Sequence, residues 1–175
     1  MKYSLIFLLL GLLSCAHPKP RKPIAHSGRI DMTQSIAYNQ QLNKYEGSVL
    51  KNYIKRDSTH TYIDSQHGFW YAYLSRNEQD TILPQKGDEV VFTYDIKGLD
   101  GKSIYSKEEL GEKTYLVDQQ DFMQGIQEGI KLMKVNEKVV FLLPSIKAYG
   151  VHGDGHKIGA NTPVVVTLQL ITIRK

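Results

Sequence analysis

One stretch narrows the choice of fold more than any other: Asp121 to Gly150, DFMQGIQEGIKLMKVNEKVVFLLPSIKAYG. Phe122 or Met123, Ile126, Ile130 and Met133 recur at steps of three and four, which places them on one face of a short helix. The helical pattern stops at Asn136, and Val139 to Leu143 is an unbroken apolar, strand-favouring run that ends at Pro144. A helix with one apolar stripe, followed at once by a strand apolar on both faces, predicts a sheet curled around that helix. A pocket is expected where the rim of the sheet meets the helix end.

The surrounding strands read as antiparallel. Val90, Phe92, Tyr94 and Ile96 alternate with Glu89, Thr93 and Asp95, the period of a half-buried strand, and Asp100-Gly101 supplies a hairpin turn before Ser103 to Ser106. A charged bulge from Lys107 to Lys113 precedes a shorter strand around Tyr115 to Val117. In the last strand, Pro163 to Ile173, Val164, Val166, Leu168 and Leu170 point inward against Thr167 and Gln169. Earlier, His60 to Asp64 and Phe69 to Leu74 carry aromatic and β-branched residues around Gly68, and Phe69, Trp70, Tyr71 and Tyr73 read as a sheet edge. The loop between Pro144 and Pro163 holds Gly150, Gly153, Gly155 and Gly159, and a loop of that length in a compact domain is expected to be functional.

The amino terminus carries an address. A lysine and then the apolar run Leu5 to Leu13 make a secretory signal too short to span a bilayer, and Leu12-Leu13-Ser14-Cys15 resembles a bacterial lipobox. Cys15, the single cysteine, is then the lipidated residue, and its acyl chains hold the domain at a bilayer. Ala16 follows where an aspartate would favour the inner membrane, so an outer-membrane anchor with the domain facing the periplasm is expected. The expected divisions are a signal peptide at 1–14, a lipidated cysteine and proline-stiffened linker at 15–28, a helical extension at 29–57 and a domain at 58–175. At 175 residues there is room for one such domain. The net charge of +4 is interspersed, which excludes a polyanion binder, so no nucleic-acid partner is expected.

Within the extension, Thr33 or Ser35 is placed to cap a helix, and Tyr38, Leu42, Tyr45, Val49 and Tyr53 recur as an amphipathic stripe interrupted by Gly47, which makes the segment one kinked helix or two shorter ones. A stripe of about two and a half heptads fits packing on the domain's own surface better than pairing with a second copy, so a homodimer is not the expected state.

Taken together, Gly87-Asp88-Glu89-Val90 with Tyr94, Asp100-Gly101-Lys102, Gly125 with Glu128-Gly129 and Met133, Ala148-Tyr149-Gly150 and the closing strand resemble the FKBP-type peptidyl-prolyl cis/trans isomerases in order and spacing, over about Thr59 to Lys175. The segment Ile104 to Leu110, with the lipobox, is similar more narrowly to the gliding motility-associated isomerase lipoproteins. The resemblance implies an α+β fold, an antiparallel half-barrel around one short helix. It also implies isomerase activity on proline-containing polypeptides, with no cofactor and no metal. Carried over by position, Tyr94, Tyr105 and Tyr149 would be the catalytic residues, and Ile104, Phe122, Met123, Ile126, Ile158 and Val166 would bind substrate.

This chain departs from that pattern. Ile126 stands where the family commonly has tryptophan, Ile104-Tyr105 replaces a Phe-Asp pair so that the usual carboxylate is lost, and Lys113 and Val166 replace aromatics. Weak or narrowly selective activity is therefore expected. The rival reading is a non-catalytic module that grips client chains through the same groove. His152, Asp154 and His156 offer metal-ligating groups, but a loop with this many glycines pre-organises ligands poorly.

Overall fold

The computed structural model describes residues 32–175. The proposed signal peptide, Cys15, the linker to 28 and the first residues of the extension lie outside the described residues. The chain divides into units Met1–Ile36 and Ala37–Lys175, and the packing described below belongs to the second.

Helix α1 runs unbroken over Met32–Arg56. Thr33 and Ser35 therefore lie inside it rather than capping it. Gly47 does not divide it, because the intrahelical hydrogen bonds continue through that position. Seven strands follow in one antiparallel sheet: β1 (Ile63–Asp64), β2 (Trp70–Ser75), β3 (Glu89–Lys97), β4 (Ser103–Tyr105), β5 (Lys113–Leu116), β6 (Lys138–Leu143) and β7 (Val164–Arg174). Their order is β1-β2-β6-β7-β3-β4, and β5 also pairs with β3. Short helix α2 (Lys107–Leu110) joins β4 to β5, and α3 (Gln124–Ile130) precedes β6. This is the α+β half-barrel around a short helix, preceded by an N-terminal helix.

The first strand is shorter than the run His60 to Asp64. Thr59, His60 and Tyr62 turn their side chains onto the Asp57 carboxylate instead of continuing the ladder. The expected charged bulge is a helical turn because Ser106, Lys107, Glu108 and Glu109 form the Ser-x-x-Glu pattern of a capped N-terminus, with the Ser106 hydroxyl accepting from the Glu109 amide at 3.3 Å.

The inner core sits between α3 and the concave face of the sheet. Val90, Phe92 and Ile96 on β3 are 0% exposed, as are Ile130 and Met133, while Ile126 is 1% exposed. Helix α3 ends at Ile130, and Met133 joins its stripe from the following turn. A Cβ at Gly125 would lie 2.5 Å from Leu143 Cδ2, and one at Gly129 would lie 2.4 Å from Phe141 Cε1. Two glycines four apart thus let the helix approach β6 more closely than any side chain permits.

A second apolar layer covers the convex face, where Leu50 of α1 packs with Ala72, Val140, Leu142 and Val165. This explains why β6 is apolar on both sides and why Val165 is buried although its neighbours alternate. The expected stripe on α1 holds in part: Leu42, Val49 and Tyr53 are half-buried, and Tyr53 packs against the convex layer, but Tyr38 is 55% and Tyr45 67% exposed, and the fully buried positions are Glu46 and Leu50, 2% and 0%.

Candidate active site

Most predicted site residues converge at the inner face, in two tiers. Tyr94, Met123, Ile126, Ile158 and Val166 are buried in the inner core, and Ile104, Tyr105, Phe122 and Tyr149 are partly exposed and packed against it. The Phe122 ring stands edge-on to Phe92 and Tyr94, with centroids 5.7 Å from each, which fixes an aromatic wall. Val166 retains no exposed surface. Paired with Ile96 on β3 and Phe141 on β6, it underpins the floor rather than offering a contact.

Helix α3 sets the floor. The Met123 carbonyl accepts from the Ile126 and Gln127 amides at 2.9 Å each, starting the helix directly beneath Phe122. Gln127 Nε2 reaches back to the Phe122 carbonyl at 3.2 Å, holding that ring's backbone.

The lip is built by the segment after β6. A single 3₁₀ turn, Ser145–Lys147, follows Pro144. The Ser145 carbonyl accepts from the amides of Ala148 at 2.9 Å and Gly150 at 2.7 Å, which bracket Tyr149. The glycine-rich loop closes where the Asn161 amide donates to the Gly150 carbonyl at 2.9 Å. Inside it, Asp154 Oδ1 accepts from the His156 and Ile158 amides, both at 2.8 Å, which turns Ile158 inward to 3% exposure. Gly153 has φ +67°, and a Cβ there would lie 2.1 Å from the Ile158 carbonyl oxygen. Only glycine fits.

Three phenols meet at this lip. Burial raises the Tyr149 hydroxyl pKa well above the usual range, reinforced by Tyr94, Asp154 and Tyr105, and no hydrogen bond contributes. Burial likewise raises Tyr94, with Tyr105 adding to it. Tyr149 therefore presents a protonated, uncommitted donor to whatever enters. Tyr105 differs from expectation. Its hydroxyl donates to Asp154 Oδ2, the main cause of its raised pKa, so that proton is already committed within the protein. Partial burial opposes ionisation of Asp154, but the bonds from Tyr105, Ile158 and His156 outweigh it and hold the carboxyl low.

The loop therefore returns a carboxylate to a site whose strand residues lack one. Lys157 completes the link, its Nζ lying 2.6 Å from Glu109 Oε1 of α2 and 4.7 Å from the Tyr105 ring centroid. The sequence points to Asp154 only as a metal-ligating group and to Lys157 and Glu109 not at all, because loop closure over β4 is a tertiary event. The capping pattern at Ser106 was the one local signal. His152, Asp154 and His156 do not converge, and among the described residues no three His, Cys, Asp or Glu groups are placed to hold a metal ion. Behind the lip, a groove of about 360 Å³ is bordered by Leu42, Ile146, Tyr149, Val151 and Asn161.

Comparison with known proteins agrees with this fold. The profile of the family described as FKBP-type peptidyl-prolyl cis-trans isomerase matches residues 80–171, more than half of the chain. The chain is 38% identical over 93 residues to the FKBP-type peptidyl-prolyl cis-trans isomerase FkpA of Aeromonas hydrophila, covering 53% of this chain and 34% of that protein. It thus spans about a third of the length of that curated relative. In fold it is similar to a crystal structure of a peptidyl-prolyl cis-trans isomerase from Pseudomonas syringae pv. tomato, with a TM-score of 0.62 and 20% identity, covering 78% of this chain and 96% of that one.

Proposed function

We propose that this chain, which belongs to the FKBP-type peptidyl-prolyl cis-trans isomerase family, catalyses rotation about Xaa-Pro bonds in polypeptides of the cell envelope, held there by a lipid on Cys15. The barrier to such rotation, about 18–20 kcal/mol, is the loss of amide resonance. A twisted amide has a less polar carbonyl than a planar one. A water-poor apolar site therefore disfavours the planar form more than the twisted form and lowers the barrier between them. The prolyl ring would rest against Phe122 and above Met123 and Ile126, and Tyr149 would donate to a substrate carbonyl, holding the rotating bond in place. Neither nucleophile nor metal is required.

The observation that carries this reading is the uncommitted Tyr149 phenol above a buried apolar floor. Cis–trans exchange of Xaa-Pro peptides, measured by NMR with the full chain, tests it. Losing one donor to the substrate should lower kcat/KM about 5- to 10-fold in Tyr149→Phe, corresponding to about 1–1.5 kcal/mol. An unchanged rate would remove Tyr149 from the mechanism.

The finer assignments rest on sequence. The run MKYSLIFLLLGLLSC supports lipidation at Cys15 and an outer-membrane anchor facing the periplasm, and Cys15→Ala should move the protein from the membrane fraction to the soluble one. The segment Ile104 to Leu110 supports service to exported proteins of gliding motility, which a deletion strain's surface movement would test. The commitment of the Tyr105 proton to Asp154 favours a second reading, a binding module that holds chains without rotating them. Suppression of client aggregation without exchange of Xaa-Pro peptides would select it.

A further inference from the structure

Glu46 is the one charged side chain of α1 with only 2% exposure, and it lies outside the segment that carries the family match. Its Oε2 accepts from the Ser145 amide at 2.7 Å and its Oε1 from the Ser145 hydroxyl at 2.6 Å, across 99 residues of chain. Among the described residues no Lys, Arg or His forms an ion pair with it. A carboxyl buried without a cation is a poor device for stability, since an apolar residue of similar volume would pack at no desolvation cost. Its two bonds go instead to the residue whose carbonyl gathers the amides on either side of Tyr149.

The same helix reaches the far foot of the loop, where Asn161 Nδ2 donates to Tyr38 Oη at 3.4 Å. Both ends of the Tyr149-bearing segment thus rest on α1. Leu50, one turn further along, packs in the apolar convex layer.

We infer that Glu46 is a positioning residue: by gripping Ser145 it sets the orientation of Tyr149, so that the helix preceding the sheet tunes the isomerase site. The inference rests on the isomerase reading of Tyr149, and its test separates the two.

The test compares Glu46→Ala, Glu46→Gln, Ser145→Ala and Leu50→Ala in the full chain, reading kcat and KM for Xaa-Pro exchange, urea stability and the ring-carbon NMR shifts of Tyr149. Misplacement of a substrate-orienting group costs up to about 100-fold, so Glu46→Ala is expected to lower kcat about 10-fold with KM within about 3-fold, and to shift the Tyr149 ring signals. Glutamine can accept from the Ser145 amide and donate to its hydroxyl, so Glu46→Gln should restore kcat to within about 3-fold of the native chain. Leu50→Ala should lose more stability yet keep kcat and the Tyr149 signals.

Unchanged kcat and ring shifts in Glu46→Ala, or equal losses in Leu50→Ala, would overturn the inference while leaving the isomerase reading intact. If Glu46→Ala does not fold, Ser145→Ala decides the matter: it removes one of the two bonds and should lower kcat about 3-fold with a shifted Tyr149 ring, and unchanged values would overturn the inference. If the native chain shows no exchange, the isomerase reading fails. The ring shifts then still report whether Glu46 positions Tyr149.

Discussion

The Tyr105 hydroxyl donates to the Asp154 carboxylate, so the end of β4 and the glycine-rich loop are joined through one proton. Asp154 also holds the His156 and Ile158 amides, and its removal should release the loop at both points. Losing a partly exposed acceptor of this kind is worth about 1–1.5 kcal/mol, or about tenfold in local opening. Hydrogen exchange at the Ile158 amide of Asp154→Ala should accelerate by that factor, with global stability little changed. Unaltered exchange would show that the loop is held from elsewhere.

Acid should have the same local effect. The Asp154 carboxyl is held below its ordinary value, so its contribution to loop closure is complete above the unfolded pKa of about 3.9 and is lost as pH falls through the lower folded value. Exchange-corrected protection at Ile158 should be constant from neutrality to about pH 5 and fall below about pH 4. Loss of protection between pH 6 and 7 would instead point to a histidine.

On the proposed isomerase reading, the rate should be flat from about pH 6 to 9, because a tyrosine phenol ionises near 10 and both Tyr149 and Tyr94 are pushed upward by burial. A raised phenol pKa keeps the donor protonated as pH rises, so any decline belongs to more alkaline solution. A break in kcat/KM near pH 7 would place a different group at the chemistry.

Gly129→Ala sets two effects against each other. Alanine favours the helix by up to about 1 kcal/mol over glycine, but its Cβ would lie 2.4, 2.9 and 3.0 Å from three atoms of the Phe141 ring. Overpacking of a rigid core costs about 1–3 kcal/mol, so a net loss is expected in urea unfolding. A stabilised variant would mean that β6 yields more readily than the burial of residues 139–143 suggests.

On α1, Leu50→Ala should cost about 2–5 kcal/mol as a large-to-small change in a sealed layer. Tyr45→Ala, at a position 67% exposed, should stay within about 0.5 kcal/mol. The pair measures which face of the helix is seated.

These contrasts show how far the sequence could be read. Periodicity located β3, β6, β7 and α3 because each has a single dominant environment, and the inward positions Val90, Phe92, Tyr94 and Ile96 follow from alternation alone. The seat of α1 is legible only in part, through Leu42, Val49 and Tyr53, because its centre combines a leucine with a buried glutamate whose partner is 99 residues away. Motif order points to Tyr94, Tyr105 and Tyr149, which lie together against the inner core. Their partners were not legible, since nothing local ties Asp154 to Tyr105 or Glu46 to Ser145.

The pairing of β2 with β6 bears on how a shorter form of the protein would behave. The family match begins at residue 80, after Trp70–Ser75, yet Trp70, Tyr71, Ala72 and Tyr73 form the ladder that covers one side of β6. A fragment cut at that boundary would leave Val139 to Leu142 as a bare apolar rim with unpaired backbone groups, an invitation to intermolecular strand addition. Precipitation during expression, rather than a smaller soluble domain, is the outcome to plan for.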